Sequence, residues 1–157
     1  MKHKILAGTA AAIFLAAGVI GGLASAHTTT AMADDTTPPE VTILSPREGY
    51  IHFVGIELFQ NPLGLTMTMG AFLLRPGRAV ALDNVDHASE LNVTVSLNGN
   101  PAVSAYFVPC DNTFEWQGSL GLGFGIYTLT VTAEDTSGNT GSASMQIFYD
   151  CILPASG

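Results

Sequence analysis

IYTLTVTAEDTSGNTGSASMQIFY, residues 126–149, decides the fold. Tyr127, Leu129 and Val131 alternate with Thr128, Thr130 and Thr132, a period-two pattern that puts the apolar set on a core and the threonines in water. EDTSGNTG then breaks the pattern, with Gly138 and Asn139 placed to supply the positive φ of a tight reversal, and SASMQIFY returns as a second strand. Working outward, the same signature recurs. VTIL (41–44) stops at Ser45-Pro46, RAVAL (78–82) at DNVD, and LNVTVSL (91–97) at the hairpin pair Asn98-Gly99. AVSAYF (102–107) stops before Pro109, and TFEWQ (113–117) holds the single tryptophan, Trp116, which belongs in a core. Beyond residue 26 no stretch has helical periodicity. Seven short strands without intervening helices predict two packed antiparallel sheets, an all-β sandwich.

The length of 157 residues allows one domain of ordinary size. Its organisation reads as an export segment (1–26), an extended Thr/Pro linker (27–40), a sandwich (41–151) and a short tail (152–157). MKHK followed by an apolar run to Leu23 is the pattern of a secretory signal, with small residues placed for cleavage after Ala26 or after Ala33. The alternative is an uncleaved membrane anchor. Both readings place the rest of the chain outside the cytoplasm, secreted or at the cell surface. Net charge is −8, and without Lys2 and Lys4 three arginines face thirteen acids, or −10. So acidic and lysine-free a surface excludes nucleic acid and charge-driven binding to anionic lipid.

Residues 50–74 break the pattern: YIHFVGIELFQNPLGLTMTMGAFLL is apolar across two strand lengths, with one acid and no base. It reads as a long hairpin or flap turning at 61–64. Folded over an open end of the sandwich, it would bury at least half of Ile56, Leu58, Phe59, Leu63, Leu65, Met67, Met69, Phe72, Leu73 and Leu74. Left exposed, it would be a surface for docking a protein through Phe59, Leu63 and Phe72.

TTPPEVTILSP (36–46), ALDNVDHASELNVTVSLNGNP (81–101) and YTLTVTAEDTSGNTGSA (127–143) resemble, in that order, bacterial and archaeal immunoglobulin-like surface domains. The resemblance spans about 38–149, interrupted by 50–74. It implies an immunoglobulin-like antiparallel sandwich of about seven strands with an apolar insertion after the first. Such domains are non-catalytic and occur in adhesins, envelope layers and secreted spacers. The resemblance also implies a calcium site where the lead-in segment meets the last hairpin, here Asp35, Glu134 and Asp135 with Asp34. Calcium takes six to eight oxygens, more than these carboxylates supply.

Other chemistry is sparse. No Gly-x-Ser-x-Gly occurs, and His52 and His87 are isolated from further zinc-type ligands. Asp83, Asp86, His87 and Glu90 form the densest acidic patch, either a cation site on a loop or a solvated, Asx-capped turn. Cys110 and Cys151, in an exported chain, are expected to form a disulfide, worth roughly 3–4 kcal/mol on loop entropy. Strand order objects by placing them at opposite ends of the sheets, which leaves a different strand count, a fold-back of Cys151 or an intermolecular bond. Asn92-Val93-Thr94 is a glycosylation sequon, and the terminal LPASG resembles a sorting signal by coincidence. The expected function is a non-catalytic exported module that binds protein rather than glycan, since aromatics are 8% of the chain. The alternative is a structural envelope component, stabilised by calcium, without a dedicated ligand.

Overall fold

The computed structural model describes residues 35–100 and 102–152; the stretch expected to direct export (1–26), residues 27–34 and the tail from 153 lie outside the described residues. Among the described residues there are eleven strands, one 3-10 turn at Ala88–Glu90 and no α-helix. In chain order the strands are β1 (Glu40–Ser45), β2 (Tyr50–Phe53), β3 (Ile56–Gln60), β4 (Thr66–Met69), β5 (Phe72–Leu82) and β6 (Asn92–Leu97). They continue as β7 (Val103–Ser104), β8 (Tyr106–Val108), β9 (Thr113–Gly118), β10 (Gly123–Glu134) and β11 (Thr140–Cys151). A four-stranded sheet, β1-β5-β9-β8, faces a seven-stranded sheet, β3-β2-β4-β11-β10-β6-β7. The architecture is an all-β sandwich.

The β10–β11 hairpin is its spine. Tyr127 pairs with Ile147, Leu129 with Met145 and Val131 with Ala143 in an unbroken antiparallel register. Leu129, Val131, Ile147 and Tyr149 are buried, so the threonines of β10 face outward as the alternation requires. Gly138 has the expected positive φ, but Asn139 does not. Its amide instead donates to the Asp135 carboxylate (2.8 Å) and to the Asp35 carbonyl (3.0 Å). Asn98 and Gly99 both take positive φ, which is what a hairpin following LNVTVSL needs. Beyond them AVSAYF is split in two: β7 pairs with β6 in one sheet, and after Ala105 the chain enters the other sheet as β8. Trp116 is fully buried, with Phe72 edge-on at 6.0 Å. It lies over Gly77 of the adjacent strand, where a Cβ would fall 2.0 Å from the indole.

Residues 50–74 are neither flap nor cap. They add β2, β3 and β4 to the seven-stranded sheet, with β4 running parallel to both β2 and β11. Strand count therefore rises above seven and the sheet is mixed rather than purely antiparallel. The expected burial is overturned as well. Of the ten apolar residues only Phe72 is buried; Leu65, Met67 and Met69 are half-buried, and the other six are exposed. The inward positions are polar: His52, Thr66 and Thr68. Two of them bind loop backbone, with Arg47 N–H donating to His52 Nε2 (3.0 Å) and Gly49 N–H to the Thr66 hydroxyl (2.8 Å). With inward places given to these anchors, alternation sends the large apolar side chains outward.

The expected disulfide is absent. Cys110 is exposed in the turn before β9, whereas Cys151 is buried at the end of β11 and contacts the Ser119 hydroxyl (3.5 Å) just after β9. The two thus sit beyond opposite ends of a six-residue strand, about 20 Å at ~3.3 Å per residue, against the ~5.5–6 Å Cα separation a disulfide tolerates.

Candidate functional site

Two features outside the core concentrate chemistry. The first is the outer face of the seven-stranded sheet. Residues opposite one another in neighbouring strands share a face, so the registers can be read across five strands. One row runs Phe59, Ile51, Met67, Phe148, Ile126 from β3 to β10. The next runs Ile56, Phe53, Met69, Asp150, Phe124. Nine of these ten positions are apolar. Phe124 is 74% exposed and Ile126 63%, and Phe124 meets Phe148 edge-on at 5.3 Å. Further along the hairpin the face turns polar at Thr128, opposite Gln146, and at Thr130, whose hydroxyl meets that of Ser144 at 2.9 Å. At the free edge β3 is exposed at all five positions. Of the residues expected to dock a partner, Phe59 belongs to this face and Leu63 projects from the turn after β3, 87% exposed. Phe72 is corrected: it is wholly inside, against Trp116, and is unavailable for docking.

The second feature is acidic. Asp35, Asp83 and Asp135, from the lead-in segment, the loop after β5 and the β10–β11 turn, bring carboxylate oxygens within 4.8 Å of one another. Asp35 and Asp83 each have one oxygen occupied locally, and Asp135 has both, its Oδ2 accepting from the Asn139 side-chain amide (2.8 Å). Asp35 Oδ1 accepts from Thr37 N–H, Asp83 Oδ1 from Val85 and Asp86 N–H, and Asp135 Oδ1 from Ser137 and Asn139 N–H. The Oδ2 atoms of Asp35 and Asp83 are buried with no hydrogen-bond partner. Burial raises the Asp135 carboxyl, but bonds from Asn139, Ser137 and Gly138 outweigh it and hold the group below the ordinary carboxylate value. Among the described residues no arginine reaches this cluster: Arg47 pairs with Glu57, and Arg78 with Asp111 and Glu115. Converging carboxylates with unpartnered oxygens are a donor set suited to a hard divalent cation such as calcium, which would need further carbonyl or water oxygens.

The cluster differs from the expected set. Asp35 and Asp135 do converge, but the third member is Asp83, while Glu134 is exposed at the end of β10, opposite Asn92 and Thr140. Asp34 lies outside the described residues. The acidic patch of the 83–90 loop is likewise divided. Asp86 accepts from Thr136 N–H and hydroxyl, and Glu90 accepts from the backbone N–H of an exposed His87. The two sequence patches are joined by the fold, a link that sequence spacing does not carry. Asn92 is exposed at the start of β6. A groove of about 470 Å³ is lined by Arg75, Arg78, Glu57, Asp111 and Glu115, and there Arg78 is neutralised by Asp111 and Glu115.

Compared with known protein families and with curated proteins, the chain matches no family model and no curated protein. Its class rests on the fold: an all-β sandwich of two sheets.

Proposed function

We propose that this chain is a non-catalytic, exported immunoglobulin-like module that binds a protein at the cell surface through the outer face of its seven-stranded sheet. The single observation that carries this reading is the five-strand apolar face bounded by threonine, serine and glutamine. Contiguous exposed apolar surface with a polar rim is the anatomy of an interface core. Export is supported by the basic start and apolar run of residues 1–26. The test is binding of the labelled, purified protein to intact cells of its source, before and after surface proteolysis. Binding should be lost on proteolysis and with Phe124→Ser. Binding that survives Phe124→Ser overturns the reading, and binding lost only after deglycosylation replaces protein with glycan.

A second reading, a structural module stabilised by calcium, is favoured by the Asp35–Asp83–Asp135 cluster. Here the ion would tie the lead-in segment to the last hairpin. A ligand at about a hundredfold excess over its Kd stabilises by about 2.7 kcal/mol. Millimolar calcium should therefore raise Tm by several degrees in the wild-type protein and not in Asp83→Asn. An unchanged melt with and without chelator removes this reading.

A further inference from the structure

We propose that the occupant of the outer face is an apolar polypeptide surface carrying one lysine or arginine, seated on Asp150. The inference rests on the docking reading above and specifies the partner's chemistry. Asp150 is the one charged residue in the two apolar rows, with Phe124 and Met69 as its register neighbours on either side. Its backbone carbonyl accepts the Gly70 N–H (2.6 Å), which secures the β11 end of the face, but among the described residues its carboxylate has no hydrogen bond and no ion pair. In the free protein it is half-buried and so remains partly open to water. Anything that covers the face strips that water, and an uncompensated carboxylate in an apolar interface is strongly unfavourable.

That requirement sorts the occupants. Among the described residues a second copy has no cation on this face: Arg47 and Arg78 are ion-paired, and the exposed, unpaired Arg75 belongs to β5 of the other sheet, in the groove beside β3. Face-to-face dimerisation would desolvate Asp150 of both copies without relief. A bilayer would bury the carboxylate in hydrocarbon and set a chain of net charge −8 against anionic headgroups. A polypeptide with a cation among apolar side chains satisfies both parts of the face, the charge supplying specificity and the rows of Phe, Ile and Met the contact area.

The test uses three synthetic amphipathic peptides, identical except for Lys, norleucine or Glu at the centre of the apolar side, titrated by fluorescence anisotropy into the purified protein. The Lys peptide should bind about tenfold more tightly than the norleucine peptide and more tightly still than the Glu peptide, as charge pairing in a desolvated site requires. Asp150→Asn should erase the order, while Glu134→Gln, which removes the same charge at the far end of β10, ten residues from Phe124 and outside the apolar rows, should preserve it. Phe124→Ser, with Ile126→Ser as the second exposed variant, should abolish binding of all three. Equal binding of the Lys and norleucine peptides, still dependent on Phe124, overturns the cation inference and leaves the docking face standing. No binding, or binding indifferent to both face variants, overturns the docking face itself. Concentration-dependent dimerisation, or cosedimentation with anionic vesicles, abolished by Phe124→Ser identifies a second copy or lipid as the occupant and also overturns the proposal.

Discussion

His52 and Phe72 show how single residues in the 50–74 stretch serve the fold in ways their types do not announce. Burial is the main influence on the His52 imidazole and lowers its pKa below the ordinary 6.5, against the raising effects of the Arg47 backbone bond and the Glu57 carboxylate. The unfolded chain therefore takes up a proton first as pH falls. Stability is complete above about 6.5 and declines below it, as the ring must charge where its Nε2 is needed as an acceptor for Arg47 N–H. Asp135, held low, stays ionised through that window. Melts between pH 7.5 and 5 should show the loss, and His52→Gln, which keeps an acceptor but cannot titrate, should flatten it. An equal slope in both proteins would refute this role. Phe72 is the one fully buried large apolar residue of the stretch. Phe72→Ala removes the edge contact with Trp116 and leaves a cavity, at a cost of about 3–5 kcal/mol. A denaturant melt measures it, and a change under about 1 kcal/mol would contradict the burial.

At the level of strands, β9 keeps the cysteines apart and β2–β4 enlarge the sheet. Since Cys110 is exposed and Cys151 buried, maleimide should label Cys110 in the native protein and Cys151 only after denaturation. Non-reducing mass spectrometry should find no bond between the two within one chain. A Cys110–Cys151 peptide pair would overturn the strand arrangement around β9. The β2–β3 hairpin escapes a sequence reading for a specific reason. Its turn, Val54-Gly55, puts a β-branched residue at φ 46°, a conformation that Asn or Gly adopts more readily. Tertiary hydrogen bonds hold it there, from Val54 N–H to the Met69 carbonyl (2.8 Å) and from Leu74 N–H to the Val54 carbonyl (3.0 Å).

For the molecule as a whole, the lead-in segment is part of the sandwich rather than a free linker over residues 35–39. Asn139 grips the Asp35 carbonyl, and at Gly141 the Pro39 carbonyl comes so close that a Cβ would lie 1.8 Å from it. Gly141→Ala should therefore displace the segment and cost about 1–3 kcal/mol as an overpacked contact. It should also abolish any calcium-dependent rise in Tm, because Asp35 would leave the cluster. A variant as stable as wild type, with its calcium response intact, would show that the segment is not held there.

The sequence by itself determined the strands whose pattern is local. β10, β11, β6 and β9 follow from alternation, and their turns from Asn, Gly and Asp chemistry, because period and turn type are properties of adjacent residues. It also determined that Leu129, Val131 and Trp116 are core, since size and phase suffice for that. Tertiary structure alone decided the rest. Whether 50–74 turns its apolar side chains inward depends on which phase of each strand is anchored, and His52 and Thr66 settle that through loop backbone groups. The same holds for the two functional candidates. Asp83 joins Asp35 and Asp135 across about fifty residues on either side, and the Asp150 face is assembled from five strands whose neighbours are set by sheet order. Proximity between residues far apart in the chain is a consequence of closure, and no local pattern encodes it.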